Sequence, residues 1–343
     1  MKTHHILIVL FFILITFGAC REISVTTTVN KDGSFTRMIK ITGDSADVFR
    51  KDLPYPIDDS WLMEVKHDSA DTSIYVTYTK TYSNSDLLNI EMKNDTGWMS
   101  QLDRSVDIKK RFGFFYSYLT FNEVIKAANP FTALDYKDFL SPEDLQWINN
   151  ERLPKTTSDT TNMDKADEKA LEFIAESYTE ELVQIIEAAI KKLNDPSVNP
   201  QIIQTHYDSI YKKVTEGEFE TAEVFIDYLA EWSGIQNILK IKTAEPDFFT
   251  EFDEKLQFFN KIFEMENYQQ FVEMPGLITE TNSLILKGNS VSWKVQNLYF
   301  LFSDYKMHVE SRVVNYWMFA LTGFLVLMLI IFLVIKAVQV TKE

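Results

Sequence analysis

Cysteine is almost missing from this sequence: Cys20 is the single one in 343 residues, so an intramolecular disulfide is impossible. Histidine is nearly as scarce, with five in total, and beyond residue 20 only His67, His206 and His308 occur, far apart and with no His-x-x-x-His pair. Zinc-type sites need such ligands at short spacings, so neither a metal nor a cofactor is expected. Glycine is sparse at ten residues, and no Gly-rich loop that could cradle a phosphate is present. Positive charge is short as well: 34 Lys and Arg stand against 50 Asp and Glu, a net charge of −16. Affinity for nucleic acid comes mainly from clustered Lys and Arg, so nucleic acid is excluded as a partner, and the acidic excess reads as a solvated surface. Carboxylates are so abundant that no two of them stand out as a glycosidase dyad.

Long apolar runs are what the sequence does have, one at each end. From Trp317 to Ile335 no charged residue occurs. A helix of that length covers about 28 Å, close to the hydrocarbon thickness of about 30 Å, and reads as a transmembrane span. Asn315, Tyr316 and Trp317 supply polar and aromatic groups for one interface, and Lys336 and Lys342 mark the other end as cytoplasmic. The span is assigned to 315–337 and a cytoplasmic tail to 338–343. At the other terminus Lys2 precedes the apolar stretch Ile6 to Phe17, which has the order of a signal peptide, residues 1–19, and is too short for a comfortable span. Gly18-Ala19-Cys20 closes it and resembles the lipobox of bacterial lipoproteins, in which the cysteine is acylated, commonly with palmitate. Cys20 is therefore the expected lipidation site. The topology that follows is a single-pass protein of the bacterial inner (plasma) membrane, with the body on the extracytoplasmic, periplasmic side, lipid on Cys20 in the outer leaflet, and the C-terminus inside. A helical span fits the inner membrane, since proteins spanning the outer membrane are normally barrels.

Between the anchors the pattern changes twice. Ile23, Val25, Thr27 and Val29 alternate with polar residues, Asn30-Lys31-Asp32-Gly33-Ser34 supplies turn chemistry, and Phe35, Arg37, Ile39 and Ile41 resume with period two. This predicts a hairpin with one buried face. A short helix is expected after Asp44, ending before Pro54 and Pro56. A second hairpin is expected from Trp61, Met63 and Val65 with Ile74, Val76 and Tyr78. The aromatic run Phe112 to Leu119 reads as a strand covered on both sides. From Ser141-Pro142-Glu143-Asp144, a helix start, the period becomes about 3.6. Lys155 to Asn162 reads as a polar linker. Leu171, Ile174, Tyr178, Leu182, Ile185, Ala189 and Leu193 then form one face of a long helix that stops at Asp195-Pro196, and further helices follow over 200–217, 218–232 and 246–264. The Phe248, Phe252, Leu256, Phe259 and Phe263 stripe reads as ordinary bundle core. Strand patterns return after Phe271, in Val291, Trp293 and Val295 and in Tyr305, Met307, Val309 and Val313, the last running almost directly into the span.

Isolated hairpins are not stable alone, so the two strand-rich ends are expected to pair with each other. The fold class is α+β: a mostly antiparallel sheet built from N- and C-terminal strands, 20–140 and 269–314, with a helical insertion at 141–268. Met274-Pro275-Gly276, Thr281-Asn282, Gly288-Asn289, Val291 and Trp293, taken with the lipobox, the early Lys31-Asp32-Gly33-Ser34 turn and the C-terminal span, resemble envelope lipoproteins of the LppM type. The resemblance covers about the first 120 and last 70 residues, and the helical block departs from it. It implies an architecture similar to lipid-transfer-like α+β folds. Because its motifs are turn and core residues, it carries no activity across.

Three groups of residues could carry chemistry. Gly43-Asp44-Ser45 resembles the nucleophile block of GDS-type hydrolases, but such a serine follows a buried parallel strand, whereas the strand before it alternates as a half-exposed antiparallel one. Asp304 and His308 are four apart, not the three of that family's acid and base pair. His67 beside Asp68 and Asp71 could approach an ion but reads more plainly as a polar hairpin loop. The expected function is thus a non-enzymatic, membrane-anchored envelope lipoprotein that binds another envelope component, a protein or a peptidoglycan-associated factor; the alternative is a binder of lipids or other apolar molecules in a cavity beside the membrane. A dry aromatic-lined cavity of several hundred Å³ facing the bilayer would favour the second, and a closed core with an exposed apolar patch the first.

Overall fold

Strands β1 (Glu22–Val29) and β2 (Phe35–Gly43) form the first hairpin, with Ile23, Val25, Thr27, Val29, Phe35, Arg37, Ile39 and Ile41 all on the buried face, as the period-two pattern requires. This computed structural model describes residues 21–340 apart from 44–46, 51–52, 68–73, 98, 150–153, 217–220, 245–246 and 264. The helix expected after Asp44 falls partly outside the described residues, and 47–49 form a turn. The second hairpin is β3 (Leu62–His67) against β4 (Ile74–Tyr82). Trp61 is buried, yet Met63 and Val65 are exposed, because β3 is the edge of its sheet and nothing described covers it.

Helix α1 (Ser85–Lys93) and strand β5 (Arg104–Gly113) have no counterpart in the sequence patterns. Helix α1 buries only Ser85, Leu88 and Met92 against β5, while Lys109, Lys110 and Arg111 stand exposed along the outer half of β5, so neither shows a clean apolar period. The run Phe112 to Leu119 is not one covered strand. It is the end of β5, a two-residue turn at Phe114-Phe115, and the start of β6 (Tyr116–Ile125), with Phe112 and Phe114 exposed.

Helix α2 (Pro142–Ile148) opens on a capping box in which the Ser141 amide donates to Asp144 Oδ2 at 2.9 Å and the Asp144 amide to Ser141 Oγ at 3.2 Å. A second box, Thr156 with Asp159, starts α3 (Thr157–Leu193), so most of the expected linker is helix. Its first turns face solvent and need no apolar stripe, which is why composition alone reads them as linker. After 37 residues, about 55 Å, α3 ends at Asn194, left-handed at φ +49°. Short helices α4 (Gln201–Thr205) and α5 (Tyr207–Thr215), then α6 (Ala222–Ser233), α7 (Ile241–Ala244) and α8 (Asp247–Phe263), complete the helical block. The chain returns through β7 (Tyr268–Glu273), β8 (Leu277–Thr281), β9 (Ile285–Lys287), β10 (Ser290–Val295), α9 (Tyr299–Phe302) and β11 (Tyr305–Val314) to α10 (Tyr316–Val340).

The two ends of the chain do pair, but in two sheets rather than one. A seven-stranded sheet has the order β3-β4-β2-β1-β7-β10-β9, joined at its centre by the parallel pair β1 and β7, and a four-stranded antiparallel sheet has the order β5-β6-β11-β8. Met274-Pro275-Gly276 carries the chain from one sheet to the other. A common core lies between them, including Ile39 and Val291 from the first sheet and Leu119, Phe121 and Val309 from the second. The amino-terminal half of α3 adds Ala166, Ala170, Phe173 and Ile174 to that core, while Leu182, Ile186 and Ala189 further along belong to a separate helical core with Phe225, Ile226 and Phe252. Helix α3 is thus the spine that joins the two.

Candidate functional site

The junction of β11 with α10 fixes how the body meets its one long apolar helix. The segment Tyr316–Ala337 is long and apolar enough to cross a bilayer, and its side chains from Leu325 to Ile335 are exposed, as a lipid-facing helix requires. Asn315 alone separates it from β11. That residue is held three times: its amide donates to Phe115 O at 2.9 Å, its Nδ2 donates to Phe114 O at 2.8 Å, and its Oδ1 accepts from Ser117 Oγ at 3.0 Å. Aromatic contacts extend the junction, Phe112 stacking on Trp317 at 5.9 Å and Phe115 packing on Phe319 at 4.6 Å between ring centroids. The β5–β6 turn is therefore fixed to the first turn of α10.

Strand polarity places everything else. Because Val314 pairs with Tyr116 and Tyr305 with Ile125, the opposite end of the four-stranded sheet lies about 30 Å along the strands from α10. The helical block joins the sheets at that far end, through Phe131 against Tyr178 at 5.3 Å and Phe173 against Phe302 at 5.8 Å. A cleft of about 390 Å³ opens there too, lined by Asn129, Phe131, Thr132, Asp135, Tyr136 and Phe302. It is aromatic on one side and wide open, and it lies at the end of the sheet remote from α10.

A buried charge cluster bridges the two sheets. Arg37 on β2 and Glu123 on β6 are both sealed from solvent and paired at 2.9 Å from Nη2 to Oε2. Arg37 Nε donates to Thr27 Oγ1 at 3.1 Å, which also accepts from Gln270 Nε2 at 3.2 Å, and the Tyr55 hydroxyl donates to the other Glu123 oxygen. The guanidinium lies over the Tyr55 ring, 4.2 Å from its centroid, and Arg104, ion-paired with Asp95, approaches the same ring. Burial alone would depress the Arg37 guanidinium, but the adjoining Glu123 carboxylate outweighs it and holds the group above its ordinary value. Burial raises the Tyr55 and Tyr268 hydroxyls, so both stay protonated. The cluster has no opening to solvent for a substrate, and its chemistry is structural: a charged lock between sheets. Its signals in the sequence are an arginine and a glutamate at inward positions of otherwise apolar strands. Only the fold brings them together.

Among the residues weighed for chemistry, Cys20, Ser45, Asp68 and Asp71 lie outside the described residues. The strand before Gly43 pairs antiparallel on both sides. His67 ends β3 opposite Ile74. His206, in the helical block, bonds Ile202 O at 3.0 Å and packs edge-on against Trp232. His308 bonds Asn122 Oδ1 at 2.7 Å and stands 4.0 Å from Glu280 on the open sheet surface rather than in a cleft. Asp304 pairs with Lys126 at 2.7 Å and accepts from the Ala127 amide, so it does not orient His308. No group of three or more His, Cys, Asp or Glu able to hold a metal ion occurs among the described residues.

No family model matches this sequence, and no curated protein matches it. Among solved structures, the NMR structure of the folded domain of LppM from Mycobacterium tuberculosis aligns over 87% of this chain and 92% of that one, at 9% identity. Its TM-score of 0.29 is too low for the likeness to carry an argument about fold or activity.

Proposed function

We propose that this chain is a non-enzymatic lipoprotein of the bacterial cell envelope, acylated at Cys20, spanning the inner membrane once through α10, and holding its body on the extracytoplasmic side to bind another envelope protein. One observation carries the reading: β11 passes through a single, triply bonded residue into α10, so the body is rigidly mounted on its membrane helix rather than hung from a linker. A rigid mount serves presentation of a surface. A surface suited to a partner is the β9 edge, where Leu284, Ile285 and Leu286 are exposed and only β10 pairs with the strand among the described residues. Such an apolar edge can accept an added strand. The lipid-carrier alternative is weakened by the cleft, which lies at the end of the sheet remote from α10 and so from the bilayer that α10 would span.

A photo-crosslinker at Ile285 in native membranes tests the reading. It should capture a defined protein, and Leu286→Lys should abolish the capture; recovery of lipid alone, or of nothing above background, sinks the proposal. Cys20→Ser should abolish labelling by a radioactive fatty acid while the protein stays in the membrane fraction, because a spanning helix is already a permanent anchor. Undiminished labelling refutes acylation at Cys20.

A further inference from the structure

The membrane-proximal end differs in charge from the rest of the molecule. In a chain of net charge −16, the outer half of β5 presents Lys109, Lys110 and Arg111 to solvent, and β11 adds Arg312. Register aligns two of them: Arg111 and Arg312 both pair with Tyr118, one from each side, so the three side chains stand in one row on the same face of the sheet. That is the outer face, since the neighbouring positions Ser117 and Leu119 point into the core. Each guanidinium is propped on an aromatic ring, Arg111 over Tyr118 at 4.5 Å and Arg312 over Tyr116 at 5.1 Å. Arg111 has only a long contact, 3.9 Å, with Glu310, and no carboxylate pairs with Arg312 among the described residues. The two arginines are two strand spacings apart, about 10 Å.

The row stands two residues, about 7 Å, above the β5–β6 turn. At that turn Phe112 and Phe114 are 55% and 52% exposed, and Phe114 sits at φ +45°. A left-handed non-glycine residue costs about 1–2 kcal/mol, and Asn, Asp or Gly normally fill such turns. A strained phenylalanine with its ring in water is doubly unfavourable. Seated in the interface, with Phe112 stacked on Trp317 and Phe114 edge-on to Phe115, both rings have an apolar surround, and the arginine row then falls at the depth of lipid phosphates.

We propose that the Arg111–Tyr118–Arg312 row binds the phosphate of anionic phospholipids while the Phe112 and Phe114 rings enter the interface, fixing the tilt of the body on the bilayer. Arginine matches phosphate geometry with paired donors, and the ring beneath each one holds it extended. The inference rests on α10 spanning a bilayer but is independent of any protein partner.

The test uses the full chain in nanodiscs of phosphatidylcholine alone or mixed with phosphatidylglycerol, read by hydrogen exchange. In the mixed discs the amides of 109–118 and 310–314 should exchange more slowly by about fivefold for each basic side chain engaged. Arg111→Gln with Arg312→Gln should erase that difference while the β1–β2 amides keep their protection, and Arg111→Lys with Arg312→Lys should restore part of it. Equal exchange in both lipid mixtures, or a difference that survives the double Gln change, overturns the proposal. A chain that does not enter the discs overturns the spanning role of α10 as well, which separates the two failures.

Discussion

Replacing Glu123 with leucine should destabilise the protein by about 3–5 kcal/mol, the cost of leaving a buried guanidinium without its counter-ion. Arg37 is fully enclosed, and Glu123 is the only carboxylate paired with it among the described residues. The loss also strips the Tyr55 hydroxyl of its acceptor, while Thr27 Oγ1, the remaining partner of Arg37 Nε, is a neutral oxygen already shared with Gln270. The pair itself is not expected to be worth that much, because burying both ions has cost most of what their attraction returns. Arg37→Met combined with Glu123→Leu should therefore recover most of the loss, and adding Tyr55→Phe should recover more. Urea unfolding of the full chain in detergent micelles measures each step. A Glu123→Leu protein within about 1 kcal/mol of the parent would show that the cluster does not lock the sheets together.

Gly276→Ala should cost about 3 kcal/mol or more, from two sources acting at one point. Gly276 has φ +87°, where an L side chain is strained by about 1–2 kcal/mol. In addition, a Cβ built there would stand 2.3 Å from the Arg312 carbonyl oxygen, a backbone atom in the middle of a strand pair that cannot swing aside. The position is the crossing between sheets, where Ser311 Oγ donates to Pro275 O at 2.9 Å and β8 lies against β11. Strand β8 should loosen first, seen as faster exchange of the Ile278 and Thr281 amides. Gly288→Ala is the control: it too has a positive φ, +67°, but open space around the new methyl, so only the conformational part should appear. Equal effects of the two substitutions would mean that the close approach to Arg312 is not what requires glycine at 276.

Both predictions concern residues that the sequence exposes unevenly. Arg37 stands out as a charge within the apolar set Phe35, Ile39 and Ile41, but nothing local says what neutralises it, since Glu123 is 86 residues away. Gly276 belongs to the Met274-Pro275-Gly276 motif, legible as a turn but not as a change of sheet. The missed elements have a common cause. Strand β5 and the first turns of α3 are exposed on most sides, so no apolar period marks them, and α3 begins on its Thr156–Asp159 box instead. The misread run at Phe112 to Leu119 follows the same logic from the other direction: aromatic density implies burial in water, and here it marks a turn fixed to the long apolar helix α10.

The sequence by itself determined the apolar span at the C-terminus, the α+β class, the first hairpin with its buried face, and the Ser141 cap that opens the helical block, because each of these depends on residues close together in the chain. The tertiary structure alone decided that the strands divide into two sheets, that Arg37 meets Glu123 between them, that the helical block stands at the end away from α10, and that Arg111 and Arg312 share a row near α10. Those are contacts between segments far apart in the chain, 86 residues for Arg37 and Glu123, or matters of strand register, where a shift of one residue turns every side chain to the opposite face.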